Sequence, residues 1–86
     1  MYNKKYIIEK IEEFNGHNKI YDGVEGKTCY PAYLNVGERG WLLYVENFGV
    51  YEYGHKIHTS IVKSIIYTDD KIILETMNTR ITFKMM

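Results

Sequence analysis

Few residues in this 86-residue sequence have the types and spacing that chemistry needs. Gly26-Lys27-Thr28 has the form of the end of a phosphate-binding loop, whose backbone amides and lysine hold phosphates. The full pattern G-x-x-x-x-G-K-[ST] would place its first glycine where Tyr21 stands, and Pro31 interrupts the helix that should follow. A glycine-containing loop leading into a strand accounts for the triplet better. His55 and His58 are three apart, which shares a face on a helix but sends side chains to opposite faces on a strand. A zinc site would then have to recruit His17 and Cys29 from distant segments, so no metal is expected. Cys29 with a histidine could in principle form a nucleophilic pair, but beside Tyr30 it reads first as a small packed apolar residue.

Aromatic residues weigh more. Tyr30, Tyr33, Trp41, Tyr44, Tyr51, Tyr53 and Tyr67 exceed what a core of this size needs, so some must be exposed or lie at an interface. A flat apolar ring with a polar tip suits stacking on bases, peptide groups or a second subunit. Cross-strand aromatic pairing is the purely structural alternative. Arg39 and Arg80 are the two arginines, and a guanidinium is the side chain best shaped to grip a carboxylate or phosphate. Arg39, in the predicted turn Gly37-Glu38-Arg39-Gly40 ahead of Trp41, is the leading ligand contact; a pairing with Glu38 or with a neighbouring strand is its structural alternative. The candidate ligand-binding set is Arg39, Trp41, Tyr33, Tyr30, Tyr53 and His58, with no catalytic residue and no cofactor.

The chain bounds these choices. Its length suits one domain spanning 1–86 with a small core, compact or completed by a partner subunit. Apolar residues make up 45%, and nine tyrosines supply most of the aromatic content, a composition that argues for order. Eleven basic residues balance eleven acidic ones, leaving no global field to attract duplex nucleic acid. A lone cysteine fits a reducing compartment. No stretch approaches the about 20 apolar residues that cross a bilayer, and Met1 to Lys10 does not read as a signal peptide. A soluble cytoplasmic protein with no membrane partner is expected.

The elements that must position these residues read as β. Ile81, Phe83 and Met85 alternate with Arg80, Thr82 and Lys84, predicting a strand with an apolar and a polar face. Ile61 to Thr68 and Lys71 to Thr76 are strands as well, with hairpin turns at Asp69-Asp70 and Asn78, residue types that tolerate the left-handed region. Thr28 to Val36 is β-like, with Pro31 confining it to an edge or bulge. Asn35 to Gly40 forms a turn, Trp41 to Glu46 a strand, Asn47 to Gly54 a hairpin tip, and His55 to His58 resumes the sheet. Gly16 to Lys27 has the composition of a long ordered loop. Tyr6 to Phe14 fits a strand better than a helix, although Ile7, Ile11 and Phe14 fall at helical spacing. The prediction is a mainly-β fold: a small barrel of five or six antiparallel strands, with a short N-terminal helix as the alternative at Tyr6 to Phe14.

The run Tyr21-Asp22-Gly23 to Gly26-Lys27-Thr28, the stretch Leu34 to Trp41, the group His58-Thr59-Ser60 with Val62, and Glu75-Thr76 with Asn78-Thr79 and Phe83 together resemble a known group. They resemble small phage- and prophage-encoded proteins of Firmicutes that look like SH3-like β-barrels. The likeness spans nearly the whole chain, but its motifs are structural punctuation and transfer no catalytic residue. The resemblance implies a phage or mobile-element accessory protein, non-enzymatic, acting in counter-defence inside the host cell. By that resemblance it would bind and sequester a nucleotide-derived signalling ligand, in a pocket often formed between subunits of a homo-oligomer. The alternative is an SH3-like adaptor that grips a host defence protein or nucleic acid through exposed aromatics. A hydrolase using Cys29 and a histidine is the third expectation.

Overall fold

The computed structural model describes residues 4–44 and 56–86. Among these, six antiparallel strands form one closed barrel: β1 (Tyr6–Glu13), β2 (Thr28–Tyr33), β3 (Arg39–Tyr44), β4 (Lys56–Tyr67), β5 (Lys71–Thr76) and β6 (Thr79–Met85). Each strand pairs with the next, and β6 returns to pair with β1. The small antiparallel barrel read from the sequence is therefore the fold. Tyr6–Glu13 is a strand, and the helical alternative is not realised. Its misleading spacing has a physical cause. The register against β6 shifts between Ile8 and Lys10, so one extra residue enters β1 there. Ile8 and Ile11 consequently both pack toward the core although they are three apart, as they would be on a helix.

The last two strands alternate as their sequences require. Ile72, Leu74 and Thr76 of β5 point inward, as do Ile81 and Phe83 of β6, while Arg80 and Lys84 face outward. These residues meet Ile8, Cys29, Leu42, Ile57 and Val62 in the barrel interior. Each fully buried large apolar side chain contributes about 1.5–3 kcal/mol.

β4 unites two segments predicted as separate strands, His55 to His58 and Ile61 to Thr68. Register shifts opposite Arg39/Trp41 and again between Val62 and Ser64 bend it, so its first part pairs with β3 and its second with β5. Pro31 precedes a further shift, between Pro31 and Tyr33, as a residue without an amide proton would. The hairpin turns at Asp69-Asp70 and Asn78 form without left-handed backbone: among the described residues only glycines have positive φ. The predicted hairpin tip Asn47 to Gly54 lies outside the described residues.

β1 and β2 are in register only near Tyr6↔Cys29 and Ile7↔Thr28, then diverge. The chain between them closes the gap. The Gly26 amide donates to the Ile8 carbonyl at 2.7 Å, the Ile8 amide to the Lys27 carbonyl at 2.9 Å, and the Ile11 amide to the Glu25 carboxylate at 2.7 Å. These bonds occupy backbone groups that a splayed strand would otherwise leave unpaired. The segment predicted as loop also carries a 3-10 turn at Lys19–Tyr21, capped by the Asn18 side chain, and inserts Tyr21 and Val24 into the core.

Replacing Phe83, which is fully buried, with alanine is expected to lower unfolding free energy by about 3–5 kcal/mol. Ile66→Ser, at a position 53% exposed, should change it by about 0.5 kcal/mol or less. Urea denaturation distinguishes them: comparable losses at both positions would contradict the assigned interior.

Candidate functional site

One end of the barrel opens into a cleft of about 710 Å³. Its walls come from the end of β1 and the following segment (Glu13, Asn15 to Lys19), from Arg39 at the start of β3, and from His58 to Ser60 of β4. Tyr21, Asn78 and Thr79 complete it. The cleft sits where β1 diverges from β2 and where β4 bends.

Thr59, Ser60 and Thr79 form its floor, with Thr76, outside the lining, hydrogen-bonded behind Ser60 and Thr79. Thr59 and Thr76 are buried, as is Thr79, and Ser60 is half-buried. Thr59 Oγ1 accepts from the Gly40 amide at 2.9 Å and donates to the Ser60 carbonyl at 2.7 Å. This approach depends on glycine: a Cβ at residue 40 would lie 3.1 Å from Thr59 Oγ1 and 3.2 Å from Leu34 Cδ2. Ser60 Oγ donates to Thr76 Oγ1 at 2.9 Å, and Thr76 Oγ1 lies 2.8 Å from Thr79 Oγ1. Above this floor, Asn15 Nδ2 donates to Asn78 Oδ1 at 2.8 Å.

The charged walls are unequal. Arg39 is exposed and forms no ion pair among the described residues. Lys19 and His58 join it around the opening. Among the described residues, Glu13 is the one acid lining this cleft, and it is already engaged. Its carboxylate accepts from the Asn18 amide at 2.7 Å and meets His17 Nδ1 at 2.6 Å, while Asp22 closes on the opposite ring nitrogen of His17. The Asn18 amide, then His17, hold the Glu13 carboxyl below its ordinary value of 4.5. Hydrogen bonds donated by the ring to Glu13 and then to Asp22 raise the His17 imidazole above 6.5. Among the described residues, the cleft's acid is thus engaged while Arg39 has no carboxylate partner.

The predicted site residues divide between two surfaces. Arg39 and His58 line the cleft, although Arg39 is the first residue of β3 and does not lie in the preceding turn. Glu38 does not pair with it; both Glu38 oxygens accept from the Tyr33 hydroxyl at 3.0 Å. Tyr33 and Trp41 face outward on neighbouring strands, paired in register with each other, and Trp41 pairs in turn with His58. The Trp41 and His58 rings stack at 3.8 Å between centroids with a 44° tilt, and Lys56 Nζ lies 5.6 Å from the indole centroid. His58 thus joins the cleft to an outer aromatic row. Tyr30 is half-buried in β2, opposite Leu43. Tyr53 lies outside the described residues.

No protein-family model matches this sequence, and no curated protein or solved structure matches it either. Among the described residues, no helix is long and apolar enough to cross a membrane. The site is accordingly defined by its own geometry. Sequence reasoning missed Tyr21, Thr59, Thr76 and Thr79. The resemblance motifs contain all of them as turn and strand-end residues, but nothing in linear spacing shows hydroxyls converging.

Cys29 is fully buried, and desolvation pushes its thiol up to about 12. At neutral pH it holds no appreciable thiolate, the form that acts as nucleophile. Native protein should therefore react with iodoacetamide far more slowly than denatured protein, as followed by mass; equal rates would contradict the burial.

The His17 clamp sets a pH window. A raised imidazole contributes stability below its unfolded value of 6.5, lost as pH climbs through the folded value; a lowered carboxyl contributes above 4.5, lost as pH falls through the folded value. Both contributions are fully present together between 4.5 and 6.5. The stability difference between wild type and His17→Ala, from thermal melts, should peak in that interval and shrink toward pH 9. A difference that grows with rising pH would refute the clamp.

Proposed function

We propose that the cleft binds and sequesters an anionic, nucleotide-derived small molecule without chemical turnover. Arg39 supports this most directly: among the described residues it forms no ion pair, and it lines an opening whose one described acid is already engaged and whose floor carries hydroxyls. A guanidinium aimed at phosphate oxygens forms charge-assisted, often bidentate hydrogen bonds. His58 adds a ring at the same wall, and the Asn15–Asn78 pair leaves amide groups to read polar edges of a base or ribose. Burial of Cys29 supports a role in packing over one in nucleophilic chemistry. Taken with the resemblance to prophage-encoded barrels, the binding belongs to a counter-defence accessory protein of a phage or mobile element. It would act in the host cytoplasm, as a homo-oligomer, by lowering the free concentration of a signalling nucleotide.

A second reading rests on a different surface. The outward row Tyr33, Trp41 and His58 crosses three adjacent strands, and Tyr33 and Trp41 are 43% and 37% exposed. Exposed aromatics of this kind also suit an adaptor that grips a host protein. The two are separated by substitution.

Calorimetry against a panel of linear and cyclic mono- and dinucleotides should find a ligand whose affinity falls roughly ten- to hundred-fold in Arg39→Ala, corresponding to about 1.5–3 kcal/mol for a hydrogen-bonded charge. The loss should greatly exceed that in Tyr33→Ala. Binding of no member of the panel would sink the proposal, and a host protein captured by wild type but not by Trp41→Ala would establish the adaptor in its place.

A further inference from the structure

β4 outruns its neighbour on one side. It has 12 residues against 6 in β3, and their register ends at Arg39↔Ile61. One more rung follows: the Val62 amide donates to the Glu38 carbonyl at 2.9 Å and the Gly37 amide to the Val62 carbonyl at 2.8 Å. Past it, residues 64–67 pair with β5 on one side and have no backbone partner on the other among the described residues. The groups left over follow from the pairing. The Thr68 amide donates to the Lys71 carbonyl at 2.9 Å, so Thr68 turns its backbone groups toward β5. Successive residues of an antiparallel strand alternate in this direction, so Ile66 also turns toward β5, and the amides and carbonyls of Ile65 and Tyr67 face outward. Ile66 and Tyr67 are 53% and 66% exposed. An exposed apolar edge with open backbone groups is a template for another strand.

We infer that the open edge of β4 at residues 64–67 pairs antiparallel with the same edge of a second copy of this chain, about a two-fold axis at Ile66. The open groups and the charges together select this register. Ile65 of each copy stands opposite Tyr67 of the other, and each such pair exchanges both of its N–H···O bonds. Lys63 then falls opposite Asp69, and the two-fold axis supplies that opposite-charge pair twice. Both side chains are exposed, and neither forms an ion pair among the described residues. Lys63 is also the extra residue at the register shift between Val62 and Ser64, outside the β5 ladder. Moving the axis to Tyr67 would set Lys63 against Lys71, a like-charge pair, so charge opposes that slip. The inference gives a surface to the homo-oligomer of the proposed function and rests on that part of it alone. The lining of the cleft includes none of residues 64–67.

The test uses the full chain, with sedimentation velocity over a range of concentrations and amide exchange by NMR at both ends of that range. A monomer–dimer equilibrium is expected. The Ile65 and Tyr67 amides should exchange at least about ten-fold more slowly in the dimer, while the Ile66 amide, bonded to β5, stays protected at both concentrations. A monomer at every concentration overturns the inference, as does a dimer in which Ile65 and Tyr67 exchange as they do in the monomer. Lys63→Asp makes both cross-axis pairs repulsive and should weaken the dimer about ten-fold; adding Asp69→Lys should restore it to within about three-fold. A dimer indifferent to this exchange of charge overturns the register. Tyr67→Pro deletes an outward amide that the barrel does not use and should abolish the dimer. If that variant does not fold, the exchanged charges and the amide pattern carry the test. Calorimetry of Arg39→Ala reads the cleft separately, so failure of nucleotide binding and failure of the edge pairing are distinguishable.

Discussion

Closure of the sheet by the pairing of β1 with β6 is the constraint on which the rest depends. A chain of 86 residues has little apolar volume, and an open sheet of these strands would leave one face and two edges in water. The Tyr6↔Met85 to Glu13↔Thr79 register joins the first strand to the last and turns both faces of the problem into one interior. Ile8 of the first strand then packs with Ile81 and Phe83 of the last, and no strand among those described lacks a neighbour on either side. Closure also demands curvature. The register shifts in β1, in β2 and twice along β4 supply it, because an extra residue bends a strand and increases its twist.

The cleft is a consequence of that curvature. β1 must follow β6 along its whole length, so it leaves β2 after Ile7, and the segment from Asn15 to Lys27 fills the gap only in part. β4 turns from β3 toward β5 at the same end, carrying His58, Thr59 and Ser60 past Arg39. The β5–β6 turn arrives there as well and brings Thr76 and Thr79. Polar residues gather in this place because apolar ones are spent on the interior. Each buried hydroxyl of the floor has a partner, which is the condition for leaving it there at all.

Two kinds of candidate residue fared differently. Arg39 stood out because arginine is scarce in this sequence and chemically specific, and the cleft includes it with His58. The aromatic candidates were chosen by abundance. Tyr33 and Trp41 do lie on the surface, but on the outer face of β2 and β3, while Tyr21, which does line the cleft, was hidden in a segment whose glycines and charges resemble an ordinary loop. A tyrosine that is buried yet lines a cavity has no mark in composition. The threonines are equally silent: in a strand they read as β-formers, and only their convergence makes them a floor.

By itself the sequence determined the strand content and the inward faces of β5 and β6. Period-two alternation is a local property that follows from strand geometry and survives without knowledge of partners. It likewise determined that Pro31 would disturb its ladder, because a missing amide proton is a covalent fact. Tertiary structure alone decided the phase of β1 and the continuity of β4, since a bulge is defined by the register of the neighbouring strand and leaves no required residue type behind. It decided the cleft for the same reason. Arg39, His58, Tyr21 and Thr79 come from four separate segments, and only closure of the barrel brings them to one end.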